Sequence, residues 1–599
     1  MALDIKAEAQ VTSGISLTDN ALYILERRYL KRDRKGKVTE TPEEMFHRVA
    51  EAIAAAELAY EPKADIKAWA DNFYQLMANL EFLPNSPTLL NAGRELGQLS
   101  ACFSLPVEDS VESIFEAIKN AALIHKSGGG TGFSFSELRP ERDRVSSNGR
   151  IAGGPVSFMP AFSAVDIIKQ GGIRQGCSVI TLNVDHPDIM KFIVAKDNPK
   201  TFTNFYTSVA ATGEFMEAVI AGRGYNLINP RTKEVVGKLN AKDIFDKVVE
   251  QSWKTGDPGI VFIDRIELDN PTPHLGRMGN VGGCGEQPLL PYESCNLGSI
   301  NLARMLRHDN DTADISYPKL AKTVKLAVRF LDNVIDVNKF PIPIIEEMTK
   351  KTRKIGLGVM GFADMLIQMG IPYDSEEALV VASDVMQFIN NEAHKASTSL
   401  AEERGVFPAY KGSIYDATSG LRLRNASCTT IAPTGTLSLI AGCSSGIEPT
   451  FGLIFVRNIL EGKQLLEINP YFEELARRKG FYSDELMKEL AGGNHLSTLA
   501  GIPYNIKRLF VTATEVKPEY HVRIQAAFQR HTDNAVSKTV NLPHEATLED
   551  IAQIYIMAYE EGLKGITVYR DGSRKLQPLG TGQAGLELIC KWLSAEVTL

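Results

Sequence analysis

The chain has 599 residues, 44% of them hydrophobic and 23% charged, with a formal net charge of −8 and seven cysteines. The composition is that of an ordinary globular protein, and the length suits several domains or one large barrel with added helical layers. The acidic balance argues against a general nucleic-acid binder. MALDIKAEAQVTSG has no apolar leader and no later stretch reaches about 18 uninterrupted apolar residues, which predicts a cytoplasmic protein with no membrane span.

The first strong pattern is helical. In TPEEMFHRVAEAIAAAELAY, Thr41 stands as N-cap, Pro42 as the first helical residue and Glu44 three places on, ahead of Met45, Phe46, Val49 and Ile53 at helical spacing. The basic run RRYLKRDRKGK before it reads as a solvated hairpin or loop. From about residue 84, short apolar runs divided by Gly, Pro, Ser and Asn alternate with helical stretches such as VESIFEAIKNAALIHK and YPKLAKTVKLAVRFLDNVIDV. That alternation is expected of an α/β fold. The last segment, RKLQPLGTGQAGLELICKWLSAEVTL, reads as a Gly-containing linker leading to a short amphipathic end.

Three Gly-rich stretches combine glycine with Ser, Thr, Lys or Arg: 126–140, 169–176 and 431–446. Loops of this kind can present backbone N–H groups and hydroxyls to phosphate, so together they point toward nucleotides. No P-loop and no Rossmann fingerprint occurs. Neither C-x-x-C nor H-E-x-x-H is present, and no metal site is predicted. A disulfide framework does not suit so few cysteines in so long a chain, which leaves catalytic or redox use of particular thiols. The most unusual stretch is GGCGEQPLLPYESCNLGS, residues 282–299, with Cys284 two residues from Glu286 and Cys295 in a polar turn.

PNSPTLLNAG, LSACFSLPVEDS, GGGTGFSFSELRP, CGEQPLLPYESCNLGSINL, GLGVMGFADML, IAPTGTLS, SKTVNLP and GITVYRDGS follow one another in the order found in ribonucleotide reductases. The chain resembles that family over most of its length, and its opening and ending are similar to the adenosylcobalamin-dependent class. The resemblance implies an N-terminal helical domain over 1–83 and a ten-stranded α/β barrel over 84–573. That barrel is built of two parallel five-stranded halves around a central finger loop, and a tail follows over 574–599. It implies reduction of ribonucleotides to 2′-deoxyribonucleotides, with Cys284 as the thiyl radical that removes the 3′ hydrogen atom. Glu286 would then be the base for the 3′-hydroxyl proton, and Cys102 and Cys295 the thiol pair that ends as a disulfide. By the same comparison Pro433, Thr434, Gly435, Thr436 and Ser438 hold substrate phosphates, completed by Ser86 and Thr88. Lys169, Gln170, Gly171, Gly172, Ile173 and Arg174 form a specificity loop read by a dNTP effector.

Adenosylcobalamin is the implied cofactor, thioredoxin or a similar protein the reductant, and a homodimer the assembly. A metal-dependent reductase relying on a separate radical-generating subunit is the alternative, but its tyrosine pair is reduced here to Tyr569. A catalytically silent nucleotide-binding homologue is the other. Cys177, Cys428, Cys443 and Cys590 read as small inert hydrophobes. Two departures stand out. Gly282 and Gly283 replace the family's asparagine and proline before the radical cysteine, so Gly282→Asn is expected to restore an orienting contact to the ribose and raise kcat/KM. The tail has only Cys590 where many relatives carry a cysteine pair.

Overall fold

The computed structural model describes residues 10–12, 14–144, 151–167, 178–198, 202, 205–282, 285–309, 312–459, 463–574, 577 and 579–596. Its N-terminal part is helical, with helices Asp19–Arg28, Pro42–Ala54 and Ile66–Ala78. The second begins at the expected cap: Thr41 Oγ1 accepts the Glu44 N–H, and the Glu44 carboxylate accepts the Thr41 N–H. Such a box satisfies two otherwise orphaned donors, and its N-cap side chain alone is worth about 1 kcal/mol. The basic run ahead of it is a tight hairpin bridged antiparallel at Arg32 and Val38, with Lys31, Arg34, Lys35 and Lys37 in solvent.

The rest of the fold is organised by strands. The first set is β1 (Cys102–Leu105), β2 (Gly130–Ser134), β3 (Ser178–Asn183), β4 (Phe205–Ala211) and β5 (Gly259–Phe262). Each pairs parallel with the next. Two short strands follow, β6 (Asn280–Val281) and β7 (Pro288–Leu289). Then come β8 (Ser294–Asn301), β9 (Ile355–Met360), β10 (Thr539–Leu542) and β11 (Gly565–Arg570). The main sheet has ten strands: nine in the order β9-β8-β1-β2-β3-β4-β5-β11-β10, and Phe82–Pro84 added antiparallel to β8.

Segment 429–431 closes the sheet, meeting β9 at Leu357 and the run into β10 at Val536, both parallel. With this segment counted, the second half, β8, β9, 429–431, β10 and β11, is parallel throughout. The two halves meet antiparallel at β1/β8 and at β5/β11. This is the α/β barrel of two parallel halves that the resemblance implied.

The expected helices Val111–Lys126 and Tyr317–Val337 lie on the outside of the barrel. The second of these shares one core with the N-terminal helices and the second-half strands: Leu331, Phe330, Phe73, Phe82, Ile300 and Leu357 are buried together. The tail is docked. Leu579–Gly580 pairs with strand Ile454–Asn458, and helix Gln583–Glu596 sends Ile589 and Leu593 against Phe472 and Met487. Among the described residues no helix is long and apolar enough to cross a membrane.

The Gly-rich stretch 126–140 corrects the phosphate-loop expectation for that segment. Gly130–Ser134 is strand β2 inside the barrel, and a Cβ on Gly132 would collide with the carbonyl oxygen of Val281. Glycine is required there because another backbone passes against the strand.

Candidate active site

The backbone passing Gly132 belongs to a finger between the two halves. Its strands β6 and β7 pair Asn280 with Leu289 and Val281 with Pro288. Above them the Gly282 N–H donates to Gln287 O at 2.7 Å and the Gly285 N–H to Gly282 O at 2.8 Å. Gly285 turns the tip with φ +86°, a left-handed conformation that favours glycine. Gly283 and Cys284 lie outside the described residues. The finger is tied to the second half at Glu286, whose carbonyl accepts the Thr430 hydroxyl at 2.7 Å and the Ala535 N–H at 3.1 Å.

Below the finger, Cys102 on β1 and Cys295 on β8 are directly opposite in the antiparallel seam. Residues facing one another in such a ladder point to the same side with Cα atoms about 4.5–5.5 Å apart, inside the usual disulfide range. The thiols are buried and not joined. The Cys102 thiol donates to Glu286 Oε1 at 3.4 Å, and Glu286 is only 3% exposed. Three of the four proposed catalytic groups therefore converge.

Cys295 sits over an ion pair that its sequence context did not reveal. Lys354 Nζ donates to Glu293 Oε2 at 2.7 Å, with both side chains 1% exposed. Glu293 also accepts the Thr352 hydroxyl at 2.6 Å and the Leu290 N–H at 2.7 Å. The Cys295 thiol is near the carbonyls of Asn296 (3.3 Å) and Lys354 (3.6 Å). Burial pushes this thiol well above the ordinary cysteine range; the Lys354 charge opposes that and the Glu293 and Glu286 carboxylates add to it. A thiol kept protonated in this way suits hydrogen donation rather than nucleophilic attack.

Beside the finger opens a cleft of about 1890 Å³, with Val281, Gly285, Pro433 and Ser438 on its wall together with Tyr206, Ser208, Thr539 and Tyr569. Thr434 is left-handed at φ +55° and begins the short helix Gly435–Ala441; its hydroxyl accepts the Gly446 N–H at 2.7 Å. Gly435 is exposed and Thr436 half-buried, whereas Ser438 is buried, its hydroxyl with Ser445 Oγ at 2.8 Å. Ser86 opens helix Ser86–Asn91 and meets the Tyr29 hydroxyl at 2.8 Å. Thr88 is fully buried and its hydroxyl donates among Asn85 Oδ1 and Leu99 O, both at 3.0 Å, so its visible duty is to hold the start of that helix. Lys169, Gln170, Gly171, Gly172, Ile173 and Arg174 lie outside the described residues.

Gly282 changes the expectation for its replacement. A Cβ there would come within 3.1 Å of Cys102 Cβ and 3.2 Å of Gln287 Cβ. A side chain at 282 therefore needs Cys102 or Gln287 to give by a few tenths of an ångström. A second pair unforeseen in the sequence stands on the cleft wall: buried Lys538 donates to Glu448 at 2.6 Å, and Glu448 also takes the Thr539 N–H at 2.7 Å. Lysine and glutamate are surface residues by default, so only the tertiary structure could place these pairs inside.

Comparison with known proteins agrees with this architecture. A sequence profile described as ribonucleotide reductase, barrel domain, matches residues 100–569, and one described as ribonucleotide reductase, all-alpha domain, matches residues 15–97. The chain is 49% identical to a vitamin B12-dependent ribonucleoside-diphosphate reductase of Thermoplasma acidophilum, the match covering 96% of this chain and 81% of the relative. It is 48% identical to a protein of the same description from Mycobacterium tuberculosis (strain CDC 1551 / Oshkosh), covering 96% of this chain and 82% of the relative. Among solved structures, the Actinobacillus ureae class Id ribonucleotide reductase alpha subunit superposes with a TM-score of 0.76 at 24% identity, over 94% of this chain and 99% of that one, a likeness of fold.

Proposed function

Because the chain belongs to the ribonucleotide reductase family, we propose that it is an adenosylcobalamin-dependent enzyme reducing ribonucleoside diphosphates to 2′-deoxyribonucleotides. The observation that carries the reading is the β1/β8 register, which sets Cys102 opposite Cys295 with Glu286 hydrogen-bonded to Cys102. Loss of the 2′-hydroxyl as water needs two electrons and protons. Two thiols becoming one disulfide supply both: ribonucleotide plus two thiols gives deoxyribonucleotide, disulfide and water.

In this reading Cys284 takes the 3′ hydrogen atom and returns one at the end. Glu286 takes the 3′-hydroxyl proton, which favours departure of the 2′ oxygen, a general-base effect of about 10²–10⁴-fold. Burial of Cys295 keeps its proton available until water leaves. The cleft is larger than the ~300–1,000 Å³ of a small-molecule pocket, so it has room for a nucleotide and a second, larger group. Adenosylcobalamin, when bound, supplies the radical equivalent that Cys284 needs, and the polar wall of Tyr206, Ser208, Thr539 and Tyr569 would hold it. The phosphates belong at 433–438. A dNTP effector at 169–174, a thioredoxin-like reductant, a homodimer and a cytoplasmic setting complete the proposal, as do domain limits at 83 and 573.

The test is to incubate the purified chain with a ribonucleoside diphosphate, adenosylcobalamin and dithiothreitol. Deoxyribonucleotide should form with no second protein. Product only after addition of a radical-generating metalloprotein would overturn the cofactor, and no product with either source would overturn the activity.

A further inference from the structure

Away from the finger, helix Glu376–Arg404, segment 427–431 and the turn after helix Pro518–Gln529 bring together His394, Cys428 and Asp533. One ligand atom of each, imidazole nitrogen, thiol sulfur and carboxylate oxygen, lies within 4.8 Å of the other two. His394 Nε2 is 3.1 Å from Asp533 Oδ1 and 3.0 Å from Oδ2. The carboxylate is already aimed: Oδ2 accepts the backbone N–H of Cys428 at 2.7 Å and of Thr429 at 3.3 Å. Its own backbone is fixed in turn, the Asp533 N–H donating to Thr429 Oγ1 at 2.9 Å and that hydroxyl to Asn390 Oδ1 at 2.9 Å.

A hydrogen-bonded His–Asp pair would account for two of these groups, but it has no use for a thiol. From this geometry we propose that His394, Cys428 and Asp533 form a binding site for a zinc-class divalent cation. Around such an ion at 2.0–2.3 Å, tetrahedral ligands are roughly 3.3–3.7 Å from one another; the imidazole and carboxylate already stand 3.0–3.1 Å apart, and the thiol, within 4.8 Å of both, needs at most a small inward shift. Nitrogen, thiolate and carboxylate are the ligand types that zinc accepts, and a water would take the fourth position. Binding expels the Cys428 thiol proton to solvent and leaves His394 neutral, so thiolate and carboxylate balance the ion's two charges. The neighbouring ammonium of Lys564 is already matched by Asp269 at 2.7 Å and held by the carbonyls of Asp533 and Asn534. His394 keeps 24% and Asp533 13% of their side-chain surface, which gives an ion an entry path, while Cys428 is fully covered.

The position gives the site a consequence. Thr430 and Ala535, each two residues beyond a ligand, are the two donors to the Glu286 carbonyl. An ion bound here clips the outer helix to the two segments that seat the finger's base. This proposal does not depend on which nucleotide the cleft accepts or on its cofactor.

The cobalamin-free full-length chain should be titrated with Co²⁺ and followed by absorbance and melting. One equivalent should give tetrahedral ligand-field bands and a thiolate-to-cobalt charge-transfer band, both erased by Zn²⁺, and Zn²⁺ alone should raise Tm. Cys428→Ser should lose the charge-transfer band. His394→Gln should weaken binding about tenfold or more, the loss already typical of an outer-shell partner, and it keeps the test decisive if the serine variant does not fold. Cys443→Ser should keep the band in full. No band at one equivalent, a band that survives Cys428→Ser or disappears in Cys443→Ser, or a Tm unmoved by Zn²⁺ would overturn the assignment.

Discussion

The two halves of the barrel are joined twice by the same device, an antiparallel seam two residue pairs long, and the seams are chemically unlike. At β5/β11, Ile260 faces Ile566 and Val261 faces Gly565, an apolar joint with three buried side chains on the cleft wall. At β1/β8, Cys102 faces Cys295 and Phe103 faces Ser294, with Glu286 above and Lys354 paired to Glu293 nearby. Within each half, parallel pairing follows chain order; a seam is where residues far apart in sequence are set face to face in register. One seam uses that register for packing, and the other for a pair of thiols that can become one bond. Buried polar groups at the second seam are costly unless satisfied, and the dense set of partners around Glu293 is how this seam meets that cost.

The comparison predicts separable losses. The largest is at the thiol seam: Cys102→Ser should cut turnover with dithiothreitol by about 10³-fold or more. The double variant with Cys295→Ser should be no worse, because the two act as a unit, which steady-state assays of the three variants can show. Next, Lys354→Met leaves the Glu293 carboxylate buried without its cation and should cost about 3–5 kcal/mol in urea unfolding, most of it recovered on adding Glu293→Gln. At the apolar seam, Ile566→Ala should cost about 2–4 kcal/mol yet lower kcat far less than Cys102→Ser does; a kcat loss matching that of Cys102→Ser would erase the distinction between the seams. Smallest is Gly282→Ala, expected to cost about 1–3 kcal/mol because its Cβ must displace Cys102 or Gln287; a gain in stability would show that the finger has slack there.

Much of this was legible in the sequence, and the remainder fails for identifiable reasons. The capping box at Thr41 and Glu44 is a local device, so four residues suffice to see it. The barrel, the finger and the Cys102, Cys295 and Glu286 set came through resemblance, since a register between positions nearly two hundred residues apart leaves no trace in spacing. Gly132 was misread because a glycine needed for close backbone approach looks the same as one needed for a phosphate loop. Lys354 and Lys538 carried no signal, since burial of a lysine depends on a carboxylate supplied from elsewhere in the chain. The grouping of Cys428 with His394 and Asp533 left no trace in the sequence either, because the three come from distant segments. The expectations for Cys284 and for 169–174 fall on residues outside those described.

The central claim is that the β1/β8 register exists to let one pair of thiols give up two electrons per product. A single turnover without external reductant, followed by alkylation and peptide mapping by mass spectrometry, tests it directly. The account predicts one Cys102–Cys295 disulfide for each deoxyribonucleotide formed. Product formed while both thiols remain alkylatable, or a disulfide joining any other pair in equal yield, would contradict it.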